Sequence, residues 1–378
     1  MKDTKMLNFI KDILTNMPSS WLNLTTHRLD IYNEKLAKTQ FLDEFEILFN
    51  NNNSKSLSLS KLPTAYDYIR LGHPLSCLLE WTIANLNNIK PKNVISFSSR
   101  TIPILGILRK NLLSNKKTKI FYKDELPNFI DFEVLKNIYG YKFDLKKIEN
   151  KKDISKFNGS SIFISQKDEF SNIDLKVDID FFINLHSHLG SVLLVNGEEN
   201  ETYISEIQHV RRRETIAMTP INCHASLNSI INKSTFEYIN TESNKTLVLN
   251  SIAAISGTNT KAVVGSSGLS IQYAIMMGLV HDALINHKGK AIKFIVPPNC
   301  YGGTNDQARR VAACIDNVEI IDLSVDSGNN MVDSISIILE KIANDDAVPF
   351  IIAEIPTNPR VEVPNLIQLE KVLALERK

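Results

Sequence analysis

The stretch at 263–304 constrains the fold more than any other part of this sequence. It begins with Val-Val-Gly-Ser-Ser-Gly-Leu and continues as an apolar run of helical length at 270–284. A strand-like run at 291–296 follows, and then the turn Pro-Pro-Asn-Cys-Tyr-Gly-Gly-Thr. A Ser/Gly turn that opens a helix presents free backbone N–H groups at the positive end of the helix dipole. This stretch therefore predicts a phosphate-binding turn.

A second polar turn follows an apolar strand-like run near the end of the sequence. The run reads Phe-Ile-Ile-Ala-Glu-Ile at 350–355, and the turn reads Pro-Thr-Asn-Pro at 356–359. Ligands of open α/β sheets bind at the carboxyl ends of the strands. The pattern predicts an α/β fold with Tyr301 and Asn358 beside the phosphate turn. Each feature alone is also explained by a core helix or by ordinary turn chemistry.

Three motifs in these stretches resemble the Cys/Met-metabolism family of pyridoxal-phosphate (PLP) enzymes, which includes cystathionine γ-synthase and cystathionine β-lyase. They are Ser-Ser-Gly-Leu at 266–269, Tyr-Gly-Gly-Thr at 301–304 and Glu-Ile-Pro-Thr-Asn-Pro at 354–359. The motifs stand in the family's order and at spacings close to its own. The resemblance implies the three-layer α/β/α large domain of fold-type I PLP enzymes.

The same resemblance implies pyridoxal 5'-phosphate as cofactor and assigns its binding residues. Ser267, Gly268 and Leu269 would hold the phosphate, the ring of Tyr301 would stack on the cofactor, and the amide of Asn358 would meet its phenolic oxygen. Glu354 belongs to the same set. At a buried strand end its carboxylate needs a hydrogen-bond partner, because an unpaired buried charge is costly.

An earlier segment also resembles the family. It reads Tyr-Ile-Arg-Leu-Gly-His-Pro-Leu at 68–75, where the family has Tyr-x-Arg-x-Gly-Asn-Pro-Thr. His73 replaces the family's Asn, and Leu75 replaces its Thr. In the family this Tyr and Arg reach across a dimer to the phosphate of the neighbouring subunit's PLP. The resemblance implies that role for Tyr68 and Arg70.

The order of elements in the first half recurs in the second half. The strand, helix and strand at 94–122 parallel those at 263–296, and the run at 161–165 parallels that at 350–354. An offset of roughly 170 to 190 residues is too long for a solenoid repeat and predicts a diverged duplication. In the first copy Arg100 replaces the glycine of the phosphate turn, and no Tyr-Gly-Gly follows.

These patterns predict an N-terminal helical segment at 1–60, a degenerate PLP-transferase-like domain at 61–231, and the first part of a competent one at 232–378. In the first copy His188-Leu189-Gly190 stands where the family has its Schiff-base lysine. In the second copy the family's lysine would come after Lys378. We therefore expect no catalytic residue within this sequence, and expect the chain to be inactive alone.

The resemblance implies transsulfuration-type chemistry, which is elimination or replacement at Cβ or Cγ of a Cys- or homoserine-type amino acid. Tyr68 and Arg70 fall in the first copy and the phosphate turn in the second, which predicts an internal pseudo-dimer or a homo-oligomer. The alternative is a non-catalytic pseudoenzyme or scaffold that keeps the fold.

Composition narrows the possible partners. The formal charge of +1 implies no general attraction to nucleic acid or anionic membranes. No window approaches eighteen uninterrupted apolar residues, so no membrane span is predicted. The four cysteines form no CxxC pair, and the polar start lacks the pattern of a signal peptide, which together predict a cytoplasmic protein.

Two polar clusters have simple structural interpretations. His186 and His188 alternate along a strand and share a face, but no acidic or Cys ligand joins them in the sequence pattern, so we predict no metal site. The run Arg-Arg-Arg at 211–213 is typical of a solvated helix end, with an anion site as the alternative.

Overall fold

The structure, a computed structural model, describes most of the chain as two compact units. The described residues are 2–23, 33, 36–66, 68–170, 173, 175, 178–233, 242–325, 330–357 and 361–377. Unit 1 comprises Met1–Ile130 and Lys142–Ser266, and unit 2 comprises Asp131–Tyr141 and Ser267–Lys378. The boundary between Ser266 and Ser267 falls inside the predicted phosphate turn. The sequence analysis placed the boundary earlier, between 231 and 232.

Helices and strands alternate through most of the described residues. The helices are α1 (Lys2–Asn16), α2 (Ala37–Asn50), α3 (Ser56–Leu59), α4 (Pro74–Leu86), α5 (Ile102–Leu113), α6 (Phe132–Asn137), α7 (Thr202–Glu214), α8 (Pro220–Asn232), α9 (Glu242–Ser256), α10 (Gly268–Asn286), α11 (Gly302–Ala312), α12 (Met331–Asn344) and α13 (Leu366–Ala374). The strands are β1 (Val94–Phe97), β2 (Thr118–Tyr122), β3 (Phe143–Lys147), β4 (Ser160–Ser165), β5 (Phe181–His186), β6 (Gly190–Val195), β7 (Ile292–Val296), β8 (Val318–Asp322) and β9 (Val348–Ile351).

Unit 1 contains a mixed sheet in the order β1-β6-β5-β4-β2-β3. Strands β3, β2, β4 and β5 run parallel, and β6 runs antiparallel to both β5 and β1. Every residue of β1, β4, β5 and β6 is buried, as expected when both faces of a sheet are covered. The predicted α/β class is confirmed, with a sheet dominated by parallel strands.

The N-terminal helices pack in the same hydrophobic cluster as α4. Phe9, Phe41 and Phe45 are fully buried in this cluster, and the Phe45 ring meets that of Trp81 edge-on at 5.2 Å between centroids. The segment predicted as a separate region at 1–60 therefore contributes to the core of unit 1.

Helix α4 begins directly after His73, the residue that stands where the motif has Asn. The Nδ1 atom of His73 accepts the N–H of Ser76 at 3.2 Å, and the Ser76 hydroxyl accepts the N–H of His73 at 2.9 Å. Pro74 occupies the first helical position, where its missing N–H costs nothing. This reciprocal capping box explains why a helix starts here although Asn is replaced.

Buried ion pairs join α2, α4 and α7 around Glu80, which is fully buried. Lys38 lies 2.5 Å from its carboxylate and Arg211 lies 3.0 Å from it. Burial alone would raise the pKa of Glu80, but the charges of Lys38 and Arg211 and the N–H of Ser96 hold it below its usual value. The prediction of a solvated helix end is thus wrong for Arg211, whose guanidinium is fully buried.

Unit 2 contains a smaller, fully parallel sheet in the order β8-β7-β9. The start of the central strand, Ile292, pairs with Val318 and Val348 at the starts of its two neighbours. The side chain of Ile295 packs with α12 and α13. Phe294 alternates with Ile295 along the strand and therefore belongs to the opposite face of the sheet.

The strand predicted at the start of the second copy is not formed. Val263 is 79% exposed, and residues 257–265 contain no strand. In unit 1 the corresponding strand, β1, pairs only with the antiparallel β6. Residues 257–265 pair with no strand among the residues that the structure describes.

One helix of the described residues, α10, has the length and apolar composition that crossing a membrane requires. Its mean hydropathy reaches 1.3 over an 18-residue window, of which 33% is buried. The core helix of a soluble protein meets the same criteria, so the finding is weak evidence for a span.

Candidate functional site

The start of α10 leaves two backbone donors open. The Ser267 hydroxyl accepts the N–H of Ser270 at 3.2 Å, and the Ser270 hydroxyl accepts the N–H of Ser267 at 3.0 Å. The N–H groups of Gly268 and Leu269 have no acceptor among the residues that the structure describes. An added Cβ at Gly268 would meet nothing within 4 Å. This end of the helix can therefore accept an anion.

The turn that carries the predicted aromatic ring links β7 to α11. Tyr301 is the residue before the helix, and its side chain is 39% exposed. An added Cβ at Gly302 would also meet nothing within 4 Å. Tyr301 is therefore partly exposed at the turn before α11, where it can contact a ligand.

Glu354 follows β9 and closes on this turn. Its Oε1 accepts the hydroxyl of Thr304 at 2.9 Å, and its Oε2 accepts the N–H of Tyr301 at 3.4 Å. A carboxylate at a helix N-terminus is stabilised by the helix dipole. The partner that the sequence required for Glu354 is thus supplied by α11, so its oxygens serve to hold the turn.

Two glutamines that the sequence prediction missed tie α10 to α11. Gln272 donates from Nε2 to the carbonyl oxygen of Thr304 at 3.1 Å, and Gln307 donates from Nε2 to that of Leu269 at 2.8 Å. Gln307 is completely buried. The available signal was a Gln inside the apolar run at 269–280, since a polar side chain there needs a polar partner.

The structure thus brings several predicted residues together within unit 2. They are Ser267, Gly268, Leu269, Tyr301 and Glu354. Asn358 lies outside the described residues.

Tyr68 and Arg70 belong to unit 1. The Arg70 guanidinium lies 4.4 Å from the centroid of the Tyr68 ring, and Arg70 is 8% exposed. That these two residues contact a cofactor phosphate stays a prediction.

Cys300 adjoins the Tyr301 turn. Burial and the neighbouring charge of Glu354 raise the pKa of its thiol. The thiolate is the reactive form of cysteine, and both influences oppose it. Cys300 is therefore no candidate for a nucleophile at neutral pH.

The corresponding turn of unit 1 arranges its backbone donors differently. The Ser99 hydroxyl accepts the N–H groups of Thr101 at 3.2 Å and Ile102 at 3.1 Å. Pro103 has no N–H, and Ile104 donates to the carbonyl oxygen of Thr101 at 3.0 Å. That the first copy has lost its phosphate turn stays a prediction.

The segment His188-Leu189-Gly190 forms a tight hairpin between β5 and β6. Gly190 has a φ of +117°, and an added Cβ there would collide with the carbonyl oxygen of Phe97. A side chain therefore cannot be accommodated at this glycine without moving the backbone. The hairpin backbone therefore packs closely against that of Phe97.

The histidines of unit 1 form a hydrogen-bonded turn. The Nδ1 atom of His186 accepts the N–H groups of His188 at 3.1 Å and Leu189 at 3.3 Å. Burial lowers the pKa of His186, whose Nδ1 lies 3.5 Å from Oδ1 of Asp168. No group of three or more His, Cys, Asp or Glu suited to a metal occurs in the described part of the chain.

Comparisons with known proteins identify distant likenesses. No family model and no curated protein matches the chain. Cystathionine gamma synthase from Xanthomonas oryzae pv. oryzae is 11% identical over 53% of this chain and 60% of its own, with a TM-score of 0.32. Cystathionine gamma-lyase from yeast is 12% identical over 66% of this chain and 67% of its own, with a TM-score of 0.35. Cystathionine gamma-lyase from Lactobacillus plantarum is 10% identical over 64% of this chain and 69% of its own, with a TM-score of 0.34. The chain spans 60% of the first structure's length, and TM-scores this low carry no argument about activity.

Proposed function

We propose that unit 2 binds pyridoxal 5'-phosphate, with the phosphate at the start of α10 and the ring against Tyr301. The observation that supports the proposal is the pair of unpaired N–H groups at Gly268 and Leu269, in the same unit as the Tyr301 turn. Two backbone donors at a helix N-terminus suit a phosphate dianion. An exposed aromatic ring suits the flat pyridine ring.

The residues present fit the phosphate end of the cofactor. Gly268 has no side chain and opens onto free space, so an oxyanion can approach the helix axis. Ser267 caps the helix and fixes its first turn. When bound, PLP withdraws electrons from the Cα atom of an amino-acid substrate. The chain's own residues bind and orient the cofactor.

The wider function that we propose is transsulfuration-type chemistry on a small Cys- or homoserine-type amino acid, in the cytoplasm. It rests on the three sequence motifs. No lysine of this sequence matches the family's attachment position, so PLP bound by these residues alone is held without a covalent bond. We therefore expect no turnover from this chain by itself.

A non-catalytic scaffold is the second candidate, and one observation favours it for unit 1. Every N–H group in the first turn of α5 has an acceptor or is absent as proline. The start of α5 itself therefore offers no open donor to a phosphate. The proposed contribution of Tyr68 and Arg70, directly or in a second copy, rests on their motif and is tested separately below.

The experiment that tests PLP binding places one carboxylate at two glycines of α10. Gly268→Asp puts a negative charge on the open turn, and Gly278→Asp puts the same charge in the middle of the same helix, where an added Cβ also meets nothing within 4 Å. An acidic residue in the first turn stabilises a helix, so Gly268→Asp should fold. Repulsion of the phosphate should weaken PLP binding about tenfold or more.

Equilibrium dialysis with PLP measures the dissociation constant for the unmodified chain and both variants. The proposal requires a measurable constant for the unmodified chain and a selective loss in Gly268→Asp. Equal affinities in the two variants, or no binding by the unmodified chain, would reject it in favour of the scaffold.

A further inference from the structure

We infer that Gln272, Gln307 and Thr304 are positioning residues that hold the α10 N-terminus and the Tyr301 turn at a fixed separation. Together with Glu354 they form a hydrogen-bonded set that we call the clasp. The inference rests on the proposed function, because it assigns a role to groups next to the proposed PLP site. It adds Gln272 and Gln307, which no motif of the sequence includes, and gives Thr304 a role that its motif did not assign.

The two helices are joined by a reciprocal pair of bonds. Gln272 lies three residues after Leu269 on α10, and Gln307 lies three residues after Thr304 on α11. Each amide donates to the carbonyl oxygen at the start of the other helix, at 3.1 Å to Thr304 and 2.8 Å to Leu269. Two bonds that cross in this way oppose both sliding and rotation of one helix end against the other.

Thr304 connects this pair to the sheet. Its carbonyl oxygen accepts the bond from Gln272, and its hydroxyl donates to Glu354 at 2.9 Å. Thr304 is 5% exposed, so water does not compete freely for either bond. The start of α11 is therefore held by α10 on one side and by the end of β9 on the other.

The clasp matters for a ligand that has two points of attachment. PLP carries a phosphate and a ring at a fixed distance, so it needs the donors of Gly268 and Leu269 and the ring of Tyr301 in register. Inorganic phosphate needs only the donors. Preorganisation therefore favours the two-point ligand and leaves the one-point ligand unaffected.

Thr304→Val tests the clasp, because it removes the hydroxyl and keeps the shape of the side chain. Loss of a hydrogen bond to a charged group should weaken PLP binding about tenfold, while the affinity for inorganic phosphate changes by less than about twofold. Thr304→Ser keeps the hydroxyl and should bind PLP like the unmodified chain. Isothermal titration with PLP and with inorganic phosphate provides all the values.

Each outcome decides a distinct point. Equal weakening of both ligands would show a general structural role and overturn the inference, as would unchanged PLP affinity. If the unmodified chain binds phosphate but not PLP, the proposed function fails and the clasp role falls with it. If circular dichroism shows that Thr304→Val is unfolded, Gln272→Met replaces it, with the same expected split between the ligands.

Discussion

Helices α5 and α10 follow turns that the sequence aligns with one another, yet they differ in what they leave open. At α5 one hydroxyl, that of Ser99, accepts two N–H groups, and Pro103 removes a third. At α10 the capping box provides acceptors for the N–H groups of Ser267 and Ser270. It leaves the N–H groups of Gly268 and Leu269, which lie between them, without one. Whether a helix start can bind an anion therefore depends on which residue provides the cap.

The two sheets show the same contrast on a larger scale. Strands β3-β2-β4 of unit 1 and β8-β7-β9 of unit 2 have the same order and the same parallel direction. In unit 1 the sheet continues from β4 to β5, whereas in unit 2 a groove of about 670 Å³, lined by β9, α12 and α13, lies beside the last described strand. Strand β4 of unit 1 therefore pairs with a further strand, whereas β9 is an edge strand among the described residues of unit 2.

The largest expected effect concerns the buried ion pairs of unit 1. Glu80→Ala leaves Lys38 and Arg211 buried with no carboxylate between them. Loss of one partner from a buried ion pair costs about 3 to 5 kcal/mol in the free energy of unfolding. Urea unfolding followed by tryptophan fluorescence measures it for unit 1, because Trp21 and Trp81 both lie there.

The matched change in unit 2 is Asp322→Ala. Its partner is Arg309 at 2.5 Å, and both side chains are about half exposed, at 57% and 47%. Solvent screens such a pair, so the expected loss is below about 1 kcal/mol by circular dichroism. Similar losses in the two variants would contradict the view that buried charges stabilise unit 1 in particular.

Acid should destabilise unit 1 through His73. Burial lowers the pKa of His73 to about 4, although its contact with the carbonyl oxygen of Met218 acts in the opposite direction. Unfolded histidine titrates near pH 6.5, so between pH 6.5 and 4 the unfolded state binds the additional proton. The contribution of neutral His73 to the free energy of unfolding is fully present above pH 6.5. It falls by about 3 kcal/mol as the pH drops to 4.

His73→Asn is the matched variant for this pH dependence. Asn accepts the N–H that starts a helix as well as His73 does, but it does not titrate. Urea unfolding at pH 7 and pH 4.5, followed by tryptophan fluorescence, should show a smaller difference in the variant. An unchanged difference would assign the acid sensitivity to other groups, such as Glu80 with its depressed pKa.

The sequence predicted the elements better than the contacts between them. Apolar periodicity located α10, expected at 270–284 and found as Gly268–Asn286, because helix length and apolar content are local properties. It failed for Val263, because a strand forms only with a partner. It also placed Arg211 at the surface, since the buried Glu80 that pairs with it lies 131 residues away.

The candidate site shows the same limit. Motifs identified Gly268, Tyr301 and Glu354 because backbone turns and strand ends carry local signatures. Gln307 carries none, and Gln272 carries only the signal of a polar residue inside an apolar run. The partner of each is a carbonyl oxygen on the other helix. Hydrogen bonds between distant segments become visible only once the fold brings the segments together.

The last comparison is between two arginines of unit 1. Arg70 lies over the ring of Tyr68 at 4.4 Å, and Arg100 lies over that of Phe129 at 3.9 Å. An Arg→Ala change at either position removes a comparable contact with an aromatic ring. Only Arg70 belongs to a motif that implies phosphate binding, and a guanidinium can bind two phosphate oxygens at once.

Arg70→Ala should therefore weaken PLP binding by about 1.5 to 3 kcal/mol, the range for hydrogen bonds to charged groups, and Arg100→Ala should not. Equilibrium dialysis with PLP provides both values, and circular dichroism checks that each variant is folded. If the two variants bind PLP equally well, Tyr68 and Arg70 serve only packing. The contrast between the units would then be complete, because unit 1 would contribute nothing to the cofactor.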